Sequence, residues 1–186
     1  MKTRILIVLM LAMGVWNSYG QIRNSGANYL ELWAGKPLLF SDNGLSWRAG
    51  ESVLGLSYAI GSSRGNYHRL TAKYRKEYVS SQLVGSSEHY DNYQFGYSYE
   101  KTLHIGKKHL SYWGLVYGLG LGIENHIPIT EQTSTVAYPY ATLGLRYEKF
   151  LGPNVGILIG LDADATTSVI SQKGKSNLFL GVKFKL

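Results

Sequence analysis

The last eleven residues, Ser176 to Leu186, alternate between two kinds of side chain. Leu178, Leu180, Val182, Phe184 and Leu186 share one parity; Phe179, Gly181, Lys183 and Lys185 share the other. In a strand, neighbouring side chains point to opposite faces, so one face is apolar and the other carries two lysines. The lysine face is the wrong one to meet lipid. The chain stops on this segment with no polar tail. That reads as the closing strand of a membrane β-barrel, and the rest of the chain must fit.

Seven further segments show the same period. They are about 28–35, 52–61, 67–79, 90–101, 109–124, 135–149 and 154–165. Gly114, Gly118, Gly120 and Gly122 share a face with Glu124, and Gly156 and Gly160 share one with Asp162 and Asp164. An eight-stranded barrel has an interior only wide enough for side chains to fill, so small residues belong inside. The Gly-and-charge face is therefore predicted to line the lumen, and the bulky face to meet lipid. A lipocalin-like carrier would need an apolar lumen instead.

The connections alternate. Long gaps are expected at 36–51, 80–89, 125–134 and 166–175, short ones at 62–66, 102–108 and 150–153. Outer-membrane barrels alternate long external loops with short periplasmic turns. The predicted fold is all-β: an eight-stranded antiparallel up-and-down transmembrane barrel with both termini in the periplasm of a Gram-negative cell. Two residues are awkward. Lys76 falls on the lipid face and is expected above the apolar band; Pro139 interrupts a strand, so a bulge or a portion rising above the membrane is expected there.

Residues 1–20 read as a cleaved signal peptide and 21–186 as the barrel domain. Lys2 and Arg4 precede the apolar run Ile5–Val15, and Ser18-Tyr19-Gly20 offers a small-residue cleavage site. The run is shorter than the ~20 residues a spanning helix needs. The whole chain carries +7, and two of its basic residues lie in 1–20, which leaves +5. Those charges are dispersed, so direct nucleic-acid binding is not expected. There is no cysteine, which excludes disulfides, thiolate metal sites and a cysteine nucleophile.

The lumen face gathers charges of both signs. Arg69, Lys73, Arg75, Arg146 and Lys183, with Lys185, oppose Glu31, Glu77, Glu100, Glu124, Glu148, Asp162 and Asp164. A plug of ion pairs is expected, because a buried charge without a partner is costly. Asp162 and Asp164 are also spaced like an acid/base pair, but the salt-bridge reading is preferred. A second set, Tyr58, Tyr74, Tyr78, Tyr93, Tyr97, Tyr99, Trp113, Tyr117 and Tyr147, falls on the outer face as an aromatic girdle. The histidines His68, His89, His104, His109 and His126 match no ligand spacing, so neither metal nor cofactor is expected. Gly118 to Gly122 is no dinucleotide fingerprint, since no helix follows it. His89, Asp91 and His126 near the long loops would suit a lipid-modifying barrel enzyme, the less favoured reading.

Several segments resemble the TraO proteins of conjugative transposons from Bacteroides-type bacteria. They are Tyr58 to Asn66 (YAIGSSRGN), Leu70 to Tyr78 (LTAKYRKEY), Gly118 to Glu124 (GLGLGIE), Tyr147-Glu148, Gly174-Lys175 and Leu180 to Phe184 (LGVKF). Gln21 after the cleavage site also suits that group. The resemblance implies a structural, non-enzymatic component of a DNA-transfer apparatus in the outer membrane. Its partners would be outer-membrane lipid and other proteins of the apparatus. The chain departs from the wider barrel habit of a terminal aromatic, ending on Leu186 with Phe184 two residues earlier. A general small barrel for adhesion or envelope stability is the alternative.

Overall fold

A computed structural model describes residues 26–41, 44–46, 51–62, 65–80, 87–106, 110–127, 134–166 and 174–186. The expected signal peptide lies outside them. Nine strands follow in order: β1 (Asn28–Ser41), β2 (Gly44–Ser46), β3 (Ser52–Gly61), β4 (Tyr67–Ser80), β5 (Ser87–Ile105), β6 (Ser111–Ile127), β7 (Ser134–Phe150), β8 (Val155–Thr166) and β9 (Gly174–Lys185). Strand β2 only extends β1 into a hairpin, Leu39 pairing with Ser46. The other eight pair antiparallel with their neighbours, and β1 closes on β9. The fold is a closed eight-stranded up-and-down barrel, as the alternation predicts.

Closure is staggered. The pairs Asn28–Ile60, Ile60–His68, His68–Tyr99, Tyr99–Tyr117, Tyr117–Leu143, Leu143–Ala163, Ala163–Ser176 and Ser176–Leu38 lead once around the wall. The path returns to β1 ten residues beyond its start. A stagger of this kind tilts the strands by about 35–45° to the axis and sets a narrow bore.

Burial is inverted relative to a water-soluble protein. Leu119 is 70% exposed, Leu121 68%, Leu70 60% and Leu180 60%, whereas Arg69, Glu31, Glu100 and Glu124 are 0% exposed. A wall of exposed leucines around buried charges is stable only if lipid covers the wall. The Gly114–Glu124 face points inward, as the membrane reading requires.

Glycine makes the narrow bore workable. A side chain at Gly55 would collide with the Trp33 ring, at Gly120 with Tyr140, at Gly122 with Tyr138 and at Gly160 with Phe179. Each of these glycines leaves space for an aromatic ring turned inward from elsewhere on the wall. Trp33 and Phe179 pack with their ring centroids 4.7 Å apart beside Val53 and Leu158. At the end carrying the termini, Tyr29, Tyr67, Tyr112 and Phe150 close the bore with Ala59.

The strands run further than expected. Strand β1 continues to Ser41 and forms its hairpin inside the expected 36–51 gap; β4 and β5 reach Ser80 and Ser87, and β6 and β7 reach Ile127 and Ser134. Backbone pairing needs no apolar side chain, so ladders persist past the lipid belt where the alternation fades. At the other end β5 continues to Ile105 through a register shift between Thr102 and His104. Leu103, His104 and Ile105 are all exposed, so the period breaks there without the strand ending.

Pro139 sits opposite Leu121 with no shift in the β6–β7 register. On the other side, the described β7–β8 pairs run as far as Tyr140–Thr166. The β3–β4 turn is tight: Gly65 takes φ of 73°, and Thr102 donates its hydroxyl to the Gly65 carbonyl at 2.7 Å.

Candidate functional site

The lumen is a polar interior, and its contents among the described residues fall into three groups. The first lies toward the end carrying the termini. Its centre is Glu31 on β1. Arg69 on β4 donates Nε and Nη2 to the two oxygens of Glu31 at 2.8 and 2.9 Å. The same Nη2 reaches Glu100 on β5 at 2.8 Å and lies 3.8 Å from Glu148 on β7. Arg146 donates to Glu31 at 2.9 Å, and Lys183 on β9 donates to Glu148 at 2.8 Å and lies 3.2 Å from Glu31. Three cations thus meet three carboxylates. The Lys183 ammonium also sits 3.6 Å from the Tyr67 ring centroid and 4.5 Å from that of Tyr29. Aromatic faces attract a desolvated cation, so the rings that seal this end also hold its charge.

The second group lies toward the opposite, distal end. Lys73 donates to Asp164 at 2.9 Å and lies 3.5 Å from Asp162. Arg75 reaches Asp164 at 3.2 Å, Glu77 at 3.3 Å and the Asn177 side-chain oxygen at 2.9 Å, and Asn177 donates in turn to Asp162. The third group consists of neutral side chains around Glu124. Tyr138 donates to Asn92 at 2.6 Å, Gln94 donates to Tyr138 at 3.2 Å, and Asn92 donates to Glu124 at 3.0 Å. The geometry therefore places every member of the lumen list except Lys185 inside the bore and gives each a described partner there. Lys185 lies at the rim, paired in register with Tyr29.

Between the first two groups remains a cavity of about 20 Å³, bordered by Lys73 and Asp162 on one side and Arg146 on the other. Thr71, Ser98 and Thr142 complete its polar lining. It has room for about one water molecule. Asp162 and Asp164 are buried and held by Lys73, Arg75 and Asn177, so neither offers a free carboxylate to a substrate.

The girdle residues face outward. Trp113 and Tyr147 pack at 5.0 Å near the end carrying the termini, and Tyr74 and Tyr93 at 5.2 Å toward the distal end. Tyr58 lies on the outer face of β3. Tyr99 packs on Tyr117 at 5.6 Å, and His68 stands beside Tyr97 and Tyr99. Tyr97 and Tyr117 sit deeper in the belt, in rungs with Leu70, Leu119 and Leu143. The Tyr78 side chain lies outside the described set. Among the described residues no cluster of three metal-ligating side chains occurs.

Sequence reasoning passed over Asn177, Tyr138 and the pairing of each lumen glycine with a particular ring. Parity alone places Asn177 and Tyr138 inside. The ring that fills a given glycine's space comes from another strand, and only the three-dimensional stagger supplies that match.

No family model matches the chain, and no curated protein matches its sequence. Solved structures do resemble it. Neisserial surface protein A superposes with a TM-score of 0.68 at 16% identity, over 87% of this chain and 100% of the other. A major outer membrane protein from Thermus thermophilus gives 0.62 at 11%, over 86% and 99%. Ail, the attachment invasion locus protein of Yersinia pestis, gives 0.58 at 11%, over 88% and 100%. At such identities the likeness concerns the fold: the small outer-membrane barrel.

Proposed function

We propose that this protein is a non-conducting, non-enzymatic barrel of a Gram-negative outer membrane, with both termini periplasmic, and that it serves as a structural component of a conjugative DNA-transfer apparatus. The filled lumen carries the first part. Among the described residues, three ion-paired or hydrogen-bonded groups and a set of inward rings fill the bore, and between the first two groups they leave a cavity of about 20 Å³. A solute path through eight strands needs an empty bore, and a catalytic site needs an unengaged acid, base or nucleophile. A protein of this kind acts through its two rims and through the lipid around it. The transfer role is supported by the TraO-like segments, above all Leu70 to Tyr78 and Gly118 to Glu124.

Two measurements test the two parts separately. Purified protein reconstituted in a planar bilayer should give no discrete conductance steps; reproducible steps would overturn the plugged-barrel reading. Deletion of the coding sequence should lower mating frequency by orders of magnitude, restored by a plasmid copy. Unchanged frequency would remove the transfer role and favour the envelope or adhesion alternative.

A further inference from the structure

The outer wall at the end carrying the termini is not uniform. On β5 the outward side chains descend from Tyr97 and Tyr99 to Lys101; on β7 they descend from Leu145 and Tyr147 to Lys149. Strand β6 lies between them and carries Trp113, which is 47% exposed and packs on Tyr147 with ring centroids 5.0 Å apart. Lys101 pairs with Leu115, two residues from Trp113 in one direction, and Lys149 pairs with Ser111, two residues from it in the other. One strand spacing and two residue rises set each lysine backbone about 8 Å from that of Trp113. The wall climbs ten residues in one circuit, so a level line falls a little over one residue per strand toward the termini. Across β5, β6 and β7 that fall brings Lys101, Trp113 and Lys149 to nearly one level.

Both lysines are exposed, and neither meets a carboxylate among the described residues. The described carboxylates at this end are Glu31, Glu100 and Glu148, all buried in the bore and held there by Arg69, Arg146 and Lys183. Among the described residues the outer surface here is therefore cationic, with no exposed acid to balance it. The patch is also confined to one side of the barrel. Along the register from Lys149 the next outward residues are Ile157 and Val182. In the other direction the row from Tyr99 passes His68 and reaches Ile60. Beyond these limits the wall is aliphatic. Deeper in the belt, Leu115 and Leu145 stand side by side in register on the outer face.

We infer that this sector binds an anionic phospholipid of the leaflet at the end carrying the termini. Its headgroup lies between Lys101 and Lys149 beside the Trp113 ring, and its acyl chains lie over Leu115 and Leu145. Charge complementarity carries the choice of ligand, because ammonium groups at a membrane interface attract anionic headgroups. Lysine stems lie along apolar wall while their heads stay at the interface, so both ammonium groups swing toward Trp113 and serve one headgroup. The indole is amphipathic and suits the boundary between headgroup and chain. In the orientation proposed above this is the periplasmic leaflet. The inference rests on that reading only for the identity of the leaflet.

The test uses the full chain folded in symmetric vesicles of phosphatidylethanolamine with a minor share of phosphatidylglycerol. One lipid at a time carries bromine near the head end of its acyl chains. Bromine quenches a neighbouring indole, and the difference between wild type and W113F isolates the Trp113 emission. Phosphatidylglycerol should occupy the place beside Trp113 beyond its share of the mixture, by roughly fivefold per lysine. K149Q should therefore lower the preference about fivefold, and K101Q/K149Q should abolish it. K101R/K149R should retain it. K36Q, which removes an exposed charge toward the distal end of β1, should leave it unchanged. Quenching by phosphatidylglycerol in simple proportion to its share overturns the proposal and leaves the two lysines to a soluble anionic partner. A K101Q/K149Q protein that quenches as the wild type does overturns it as well. Each variant is first checked for heat-modifiable gel migration, and the wild-type measurement decides by itself where a variant does not fold. Symmetric vesicles make the result independent of orientation, which protease access to the termini in intact cells tests separately.

Discussion

Arg69 is closed off from water on every side and touches carboxylates from β1, β5 and β7. Its planar fork engages Glu31 with two nitrogens and still has a hydrogen for Glu100. Removing it leaves three buried carboxylates with two cations. R69M should therefore cost about 3–5 kcal/mol, read as a lower urea midpoint of the chain folded in lipid vesicles. R69K should lose less, but not nothing, because one ammonium cannot reproduce the two-pronged contact. A different residue-scale effect belongs to the glycines. An added carbon at Gly160 runs into the Phe179 ring, whereas at Gly156 it meets the Lys149 carbonyl and Phe150 at 3.3 Å. G160A should cost about 1–3 kcal/mol through overpacking, and G156A distinctly less, measured in the same unfolding assay.

Among the elements, the exposed faces of β1, β3, β8 and β9 form one continuous apolar sector with Leu32, Leu54, Ile159 and Leu180. L180R puts a cation near the middle of that belt and should cost about 2–4 kcal/mol. The same assay should show a much smaller loss for arginine at Lys185, at the rim. The period-2 pattern carried this information, because one buried and one lipid-covered face force strict alternation. Every strand's inward set, from Glu31 on β1 to Lys183 on β9, follows from it. Strand ends were less legible. At Thr102–His104 an irregular register breaks the period inside β5, and at Leu39–Ser46 a hairpin extends β1 where side-chain parity has no lipid to obey. Pro139 reads as a break in the sequence, yet the β6–β7 register passes through Leu121–Pro139 without a shift. Within the lumen, charge signs could be read from the sequence but partners could not. Lys73 and Asp164 lie 91 residues apart and meet across the bore, not along the wall.

For the molecule as a whole, an intact ladder of eight strands closed on itself should resist detergent at room temperature and open only on boiling. The expected result is a folded band that migrates faster in an unheated gel and shifts to about 20.7 kDa or its mature equivalent after heating. A single position regardless of heating would contradict a closed barrel. Closure also removes free strand edges from the lipid-embedded wall, so a partner cannot dock there by adding a strand. The seam has a consequence in time as well as in space. Glu31 is supplied by β1 and Lys183 by β9, the two strands that meet last in sequence, while Arg69 and Arg146 come from the middle of the chain. The charged knot near the termini therefore stays incomplete and hydrated until the first strand finds the final one. Zipping that seam and drying the knot are one event, and it is the step at which an assembling chain becomes a finished barrel.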